Sequence, residues 1–303
     1  MTAVIEADRL TRRFGRFTAV DAASFSIEQH TITGLLGRNG AGKTTLMQLL
    51  TGQQFPSSGS VRVFGEAPAE NTHVLDRVCF VKESQRYPDE FRMTHILASA
   101  PAFFPEWDAA FASDLAADFR IPMKRSIKKM SRGQQSAVGI VVGLASRAPL
   151  TFFDEPYLGL DAVARQLFYD RLLADYAENP RTVVLSTHLI DEVAALLERV
   201  VVIDDGRILL DSDADELRGS ATTVAGLASA VHAFVRGRSV LKTETLGGFV
   251  SATVDGLDDA ARAEAAAAGL ELSAVSLQQL IVQKTDLHTA IDSLPIDSME
   301  KSA

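Results

Sequence analysis

Residues 37–45 read GRNGAGKTT, and the rest of the chain is best understood outward from them. They fit the spacing G-x-x-x-x-G-K-[ST], follow the apolar run TITGLL (31–36) and open a helical segment that runs from Thr44 to about Leu50. A strand, a glycine-rich loop and a helix in that order form a phosphate-binding loop. Gly37, Gly40 and Gly42 let the backbone wrap a phosphate chain with its N–H groups turned inward, with Arg38, Asn39 and Ala41 between them. Lys43 brings a point charge to the β- and γ-phosphates, and Thr44 offers a hydroxyl to Mg²⁺ beside Thr45. The bland alternative, a glycine-rich turn ahead of a helix, is disfavoured by this context.

Two more apolar strands end in chemistry. LTFFDEP (150–156) stops at Asp154, suited to organising Mg²⁺ at the C-terminal end of a strand, where α/β folds place ligands. Glu155 follows, and in an extended chain it points to the opposite face, so a separate role as general base toward an attacking water suits it. By itself an Asp-Glu pair at a strand end is a common solvated turn; beside a phosphate loop it gains meaning. RTVVLSTH (181–188) ends at His188, a ring N–H for a γ-phosphate. A lone histidine is more often packing or surface, but the end of a core strand argues otherwise.

MSRGQQS (130–136) precedes the apolar helix AVGIVVGLA. Ser131, Arg132, Gly133 and Gln134 offer donors where a helix has unpaired N–H groups and its positive dipole end. One nucleotide does not need both this site and the phosphate loop from a single chain.

Composition sets the class. The 303 residues carry a formal net charge of −9 with 47% hydrophobic and 23% charged residues, the profile of a globular α/β protein with no global preference for nucleic acid. One cysteine, Cys79, allows no internal disulfide and suits a reducing cytoplasm. No apolar run approaches the roughly 18 residues needed to span a bilayer, so a membrane-crossing partner would be another chain. Strand-like runs (AVIEADRL, ASFSIE, SVRVFG, VCFVKE) precede a helical stretch over 90–145. Later, IDEVAALLERV reads as an amphipathic helix and VVIDDGRILL as a hairpin around Asp205-Gly206. After about Leu217 the texture changes: FVSATVDG alternates like a strand, DDAARAEAAAAG is a strong helix former and SLQQLIVQKT a short amphipathic helix. Residues 1–217 therefore read as one domain and 218–303 as a small accessory one, its last dozen residues frayed.

Gly37–Thr45, MSRGQ at 130–134, Asp154-Glu155, YLGLD at 157–161 and His188 resemble, in order and spacing, the ATPase subunit of an ABC transporter over residues 3 to 215. FFPEWDAAFASDLAADFRIPMKRSIKKMSRGQ is similar to the helical subdomain of the Ytr-like, ABC-2-type group. The resemblance implies a P-loop NTPase (RecA-like) α/β cassette with an N-terminal antiparallel β-subdomain, a helical signature subdomain and a C-terminal α+β domain. It also implies ATP and Mg²⁺ as ligands, a second cassette (the same chain or a different one), separate transmembrane permease subunits and no nucleic acid. The location implied is cytoplasmic, on the inner face of the membrane. Ser131, Arg132, Gly133 and Gln134 would then act on the partner's ATP, Glu155 and His188 in catalysis, and Thr44 and Asp154 on Mg²⁺. Asp161 would couple the two sites, and Phe14 would stack on adenine, a core phenylalanine being the alternative. The family's LSGGQ is MSRGQ here, so Arg132 either attracts phosphate or lies solvated. The lid residue is Glu83 by strand register or Gln85 by distance to the following Tyr87-Pro88. Phe103, Phe104 and Trp107 either line a groove for the membrane subunit or form helical core, and Arg86-Tyr87-Pro88 is a further candidate contact. A DNA-repair or translation ATPase usually adds coiled coils, zinc-binding cysteines or a second cassette, which this chain lacks. A weakly hydrolysing regulatory cassette sits poorly with Lys43, Glu155 and His188 together. Export is the expected direction of transport.

Overall fold

Strands with no exposed face need cover on both sides, and the apolar runs ITGLL, LTFFD and TVVLST meet that need by lying together in the middle of a parallel sheet. The computed structural model describes residues 2–83 and 85–292; the C-terminal tail expected to fray lies, from residue 293 onward, outside them. In chain order the strands of the larger unit are β1 (Ala3–Phe14), β2 (Phe17–Glu28), β3 (Ile32–Leu36), β4 (Ser58–Val63), β5 (Val78–Val81), β6 (Leu150–Asp154), β7 (Thr182–Thr187), β8 (Arg199–Asp204) and β9 (Arg207–Asp213). Its helices are α1 (Lys43–Leu50), α2 (Thr72–Leu75), α3 (Met93–Ser99), α4 (Ala109–Asp118), α5 (Arg132–Ala145) and α6 (Ala162–Glu178); α7 (Ile190–Val193) falls in the smaller unit.

The main sheet has the order β5-β6-β7-β3-β8-β9, with β5 through β8 parallel. A second sheet, β2-β1-β4, is antiparallel. Its inward residues Val4, Ile5, Leu10, Val20 and Phe25 share one core with Leu46, Met47 and Leu50 of α1 and with Phe152, Val184 and Val201 of the main sheet. This packing anchors α1, and thereby the phosphate loop, against both sheets. Asp205 and Gly206 turn β8 into β9 with φ of +45° and +79°, the two-residue hairpin that the sequence predicts.

The chain divides into two compact units, residues 2–189 with 196–211 and residues 190–195 with 212–292. In the second, α8 (Ala214–Ser220), β10 (Ala221–Leu227), α9 (Ala228–Phe234), β11 (Val240–Leu246), β12 (Phe249–Asp255), α10 (Asp259–Ala267), β13 (Glu271–Ala274) and α11 (Leu277–Asp292) build an antiparallel sheet of order β11-β12-β10-β13. Val224, Val231, Phe234, Val250, Val254 and Leu270 form its core. Only β12 among these strands is legible by alternation; β10 is made of small residues and β11 is largely exposed.

IDEVAALLERV is not one helix. Helix α7 ends at Val193, a single 3₁₀ turn covers Ala194–Leu196, and β8 has begun by Arg199. The cause is capture by the sheet: the Glu198 N–H donates to the Ile32 carbonyl at 3.0 Å, and the Ile32 N–H donates to Glu198 Oε2 at 2.8 Å. Tertiary pairing overrides the helical period.

A buried charge network pins α6 to the main sheet. Asp175, whose side chain is 2% exposed, pairs with Arg147, which precedes β6, and with Arg181 Nη1 at 2.6 Å, just ahead of β7. Arg147 also reaches Asp108 Oδ2 at 3.0 Å. Burial, with Arg147 nearby, pushes Arg181 down to about 10. Removing the carboxylate leaves Arg181 buried without an ionic partner and Arg147 with Asp108 alone. Asp175→Ala is expected to lose about 3–5 kcal/mol of stability, measured by urea unfolding, and Asp175→Glu to retain more of it.

Candidate functional site

Strand register brings three loop ends to one edge of the main sheet. Asp154 closes β6 opposite Ser186, and Leu36 closes β3 opposite Thr187. The loop after β3 turns into α1 at Gly42, where φ is 108° and an added Cβ would lie 2.4 Å from the Ala19 carbonyl oxygen, so glycine is required. Lys43 is 5% exposed. Its ammonium donates to the carbonyls of Gly37 (2.8 Å) and Arg38 (3.1 Å) and lies 3.2 Å from Glu155 Oε1.

The two carboxylates sit in different settings. Asp154 accepts from Thr44 Oγ1 and from Ser186 Oγ, each at 2.7 Å. Burial raises its carboxyl pKa, the two hydroxyls oppose that shift, Glu155 adds to it and Lys43 opposes it. Glu155 is not the extended residue that strand alternation suggests. The strand ends at Asp154, and Glu155 takes φ +48°, a left-handed conformation uncommon outside glycine, with its N–H donating to Ser186 Oγ at 3.0 Å. That turn sets its carboxylate between Lys43 and His188, whose Nδ1 lies 2.8 Å from Oε2.

Tyr157 organises this group from behind. Its hydroxyl donates to Glu155 Oε2 at 3.1 Å and accepts from Thr187 Oγ1 at 3.0 Å and from the His188 N–H at 3.2 Å. Burial raises the phenol's pKa, which keeps it a donor toward Glu155.

Ser131 caps α5: its hydroxyl accepts from the Gln134 N–H, and the Gln134 side chain accepts from the Ser131 N–H, both at 3.2 Å. Gly133 packs so tightly on the following loop that a Cβ would lie 2.5 Å from the Gly159 carbonyl oxygen. Ser136 Oγ donates to the Leu158 carbonyl at 2.6 Å. Arg132 Nη2 reaches Glu83 Oε1 at 2.6 Å. Both of these side chains line a cavity of 610 Å³ that also contains Phe17, Lys43, Glu155 and His188.

A model of the ABC transporter family matches residues 20–158. The ABC transporter ATP-binding protein YtrB of Bacillus subtilis (strain 168) is 25% identical over 215 residues, covering 71% of this chain and 74% of that protein. The Nod factor export ATP-binding protein I of Ralstonia nicotianae (strain ATCC BAA-1114 / GMI1000) is 30% identical over 222 residues, covering 71% of this chain and 69% of that one. The chain is an ABC transporter ATP-binding subunit. The cassette's fold is shared with a solved dimeric ATP-binding cassette in a post-hydrolysis state bound to ADP and phosphate, at TM-score 0.61 and 18% identity over 69% of this chain and 98% of that one. As a member of this family the cassette binds and hydrolyses ATP to energise an ABC transporter.

Within the cassette the phosphate loop, Glu155, His188, Arg132 and Glu83 converge on one cavity. Gln85 lines an adjoining cavity of 200 Å³ with Arg86 and Gln135, and Glu83 and Arg132 line both. Asp161 caps α6, its Oδ1 accepting from the Ala164 N–H at 2.8 Å. Phe14 lies at the end of β1 under the Arg12 guanidinium; it is Phe17, its cross-strand partner, that lines the cavity. Phe103 is exposed, and Trp107 lines a different cavity altogether. Sequence reading missed Tyr157, Ser186 and Phe17. The YLGLD loop and the STH strand end contained the first two, but hydroxyl hubs have no spacing rule.

The raised pKa of Asp154 makes it a test case. Its contribution to stability is greatest below the ordinary carboxylate pKa of about 4 and declines as pH rises through the raised value. Relative to Asp154→Asn, neutral throughout, the parent without nucleotide is expected to lose stability as pH rises from about 4 through the raised value and to level off above it, as read by thermal unfolding.

Proposed function

We propose that this cassette powers an ABC-2-type exporter by closing head to tail with a second cassette, each ATP lying between one phosphate loop and the other chain's signature. The observation that carries the reading is the placement of Lys43, Glu155 and His188 around one cavity, with the capped start of α5 tied to the loop after Glu155. Glu155 then accepts a proton from the attacking water, while Lys43 and the α1 N–H groups bind phosphate and His188 contacts the γ-phosphate. Phe17, with Phe14 across the hairpin, supplies the aromatic surface for adenine. Asp161 transmits between the two sites from the N-terminus of α6.

Mg²⁺ fits the donors present. It prefers oxygen ligands and retains water and phosphate, so few protein groups are needed. Among the described residues no cluster of three acidic, histidine or cysteine side chains occurs. The Thr44 hydroxyl and the Asp154 carboxylate, 2.7 Å apart, are the hard donors at the loop. When bound there, Mg²⁺ supplies charge neutralisation to the terminal phosphates. Glu83 is the better lid residue, because it shares the cavity with Lys43 whereas Gln85 does not.

The Nod factor export relative supports the export direction, though a spermidine/putrescine import ATP-binding protein is similar to the chain as well; cargo choice is assigned to separate permease subunits. Docking on separate permeases would put the cassette on the cytoplasmic face of the membrane; no described helix is long and apolar enough to cross one. The larger unit forms the motor, and the smaller one, which begins at residue 212 rather than at the expected 218 and also takes in residues 190–195, is an accessory domain that reinforces the dimer.

The deciding experiment is the oligomeric state of Glu155→Gln with and without Mg-ATP, read by light scattering. ATPase activity is expected to fall by about 100-fold or more, and the monomer to become a dimer only with ATP. A variant that binds ATP and stays monomeric overturns self-pairing. Arg132→Ala should leave stability within about 0.5 kcal/mol, since its ion pair is exposed, yet weaken ATP-dependent dimerisation; unchanged dimerisation would remove Arg132 from the interface.

A further inference from the structure

A second, larger cavity, of 770 Å³, lies at the other end of the main sheet. Arg77, Pro149 and Arg181 stand immediately before β5, β6 and β7, and His30 two residues before β3; all four line it. These strands are parallel, and their opposite ends carry the nucleotide machinery, about 16 Å away for a five-residue strand. Trp107 and Asp108, from the loop ahead of α4, form another wall.

Among the described residues lining this cavity, the buried side-chain groups left without a partner are donors. Its acceptors are largely engaged: Asp108 accepts from the Phe111 N–H at 2.9 Å and from Arg147 at 3.0 Å. The Pro180 carbonyl lies 3.0 Å from His30 Nδ1, and Thr182 Oγ1 accepts from the His30 N–H at 3.0 Å. Glu106 is the remaining lining carboxylate, and it faces water. Its donors are engaged in part: Arg147 pairs with Asp108 and Asp175, and the Arg181 Nη groups with Asp175 and the Leu144 carbonyl. Trp107 Nε1 and Arg181 Nε are buried with no partner, and Arg181 is 5% exposed. The Arg77 guanidinium lies 3.5 Å from the centroid of the Phe64 ring, with no carboxylate within ion-pair distance among the described residues. Buried donors left unpaired cost free energy that an acceptor-rich ligand would recover. The rings of Phe64 and Trp107, with Val4 and Pro149, give that ligand an apolar bed. A volume of 770 Å³ suits a small molecule.

We propose that this cavity is a second binding site, separate from the nucleotide, for a small organic carboxylate with an apolar body. Arg77 and the Trp107 N–H hold the carboxylate, and the two rings hold the body. Phosphate, lacking an apolar body, is not its ligand.

The chain contains one tryptophan, Trp107, so fluorescence excited selectively at tryptophan, apart from the four tyrosines, reports from this cavity. Phenylacetate and succinate are titrated at constant ionic strength, with inorganic phosphate in parallel, each with and without a saturating non-hydrolysable ATP analogue. The expected result is a saturable change with phenylacetate that the ATP analogue leaves in place and that is smaller or weaker with succinate. Arg77→Gln, an exposed position that should keep its urea midpoint, is expected to weaken binding by about tenfold. Trp107→Phe should lose the signal while calorimetry still detects binding. Linear, non-saturating quenching, displacement by the ATP analogue, equal response to phosphate, or unaltered affinity in Arg77→Gln would each overturn the proposal.

Discussion

A lysine ammonium that is almost wholly withdrawn from water must be compensated, and the site is arranged around that need. Lys43 is balanced by two loop carbonyls and by Glu155. The carbonyls fix the loop's curvature, and the carboxylate ties the loop after β3 to the turn after β6. Glu155 in turn is fixed by its left-handed backbone, by Ser186 at its N–H and by Tyr157 and His188 at its other oxygen. Three segments separated widely in sequence are thereby held to one geometry around a single buried charge. Phosphate oxygens entering this cavity meet a cation whose desolvation has already been met by the fold.

The same logic extends to the start of α5. Gly133 against Gly159 and Ser136 against Leu158 join the helix carrying the signature to the loop that follows Glu155. Movement of one is transmitted to the other through backbone contact, with no flexible side chain to absorb it. Arg132 lies beyond that junction, paired with the exposed Glu83. The rigid part sets where the helix start points; the exposed pair sets its charge.

Much of this was legible in the sequence because it depends on local spacing. The GRNGAGKTT loop, the Asp154 strand end and the capped start at Ser131 each follow from a few consecutive residues with one physical reason. What escaped notice depends on tertiary encounter. Tyr157 matters through its distance to Thr187 and His188, and Phe17 through the register of a hairpin. The helix expected over IDEVAALLERV failed because Glu198 was claimed by β3. In the smaller unit, strands made of alanine, threonine and glycine carried too little apolar contrast to declare their pleat.

The order of strands has a consequence for biosynthesis. Strand β3, which launches the phosphate loop, has β7 and β8 as its neighbours, and Ile32 meets Val183 about 150 residues later along the chain. Until β7 has emerged from the ribosome, β3 is an apolar strand without its lateral partners, and Asp154 has no Ser186 to hold it. A nascent chain that contains the whole glycine-rich loop thus still lacks the machinery to use it. Chaperone capture of the early apolar strands would suit such a chain, whose competence for ATP arrives late and all at once.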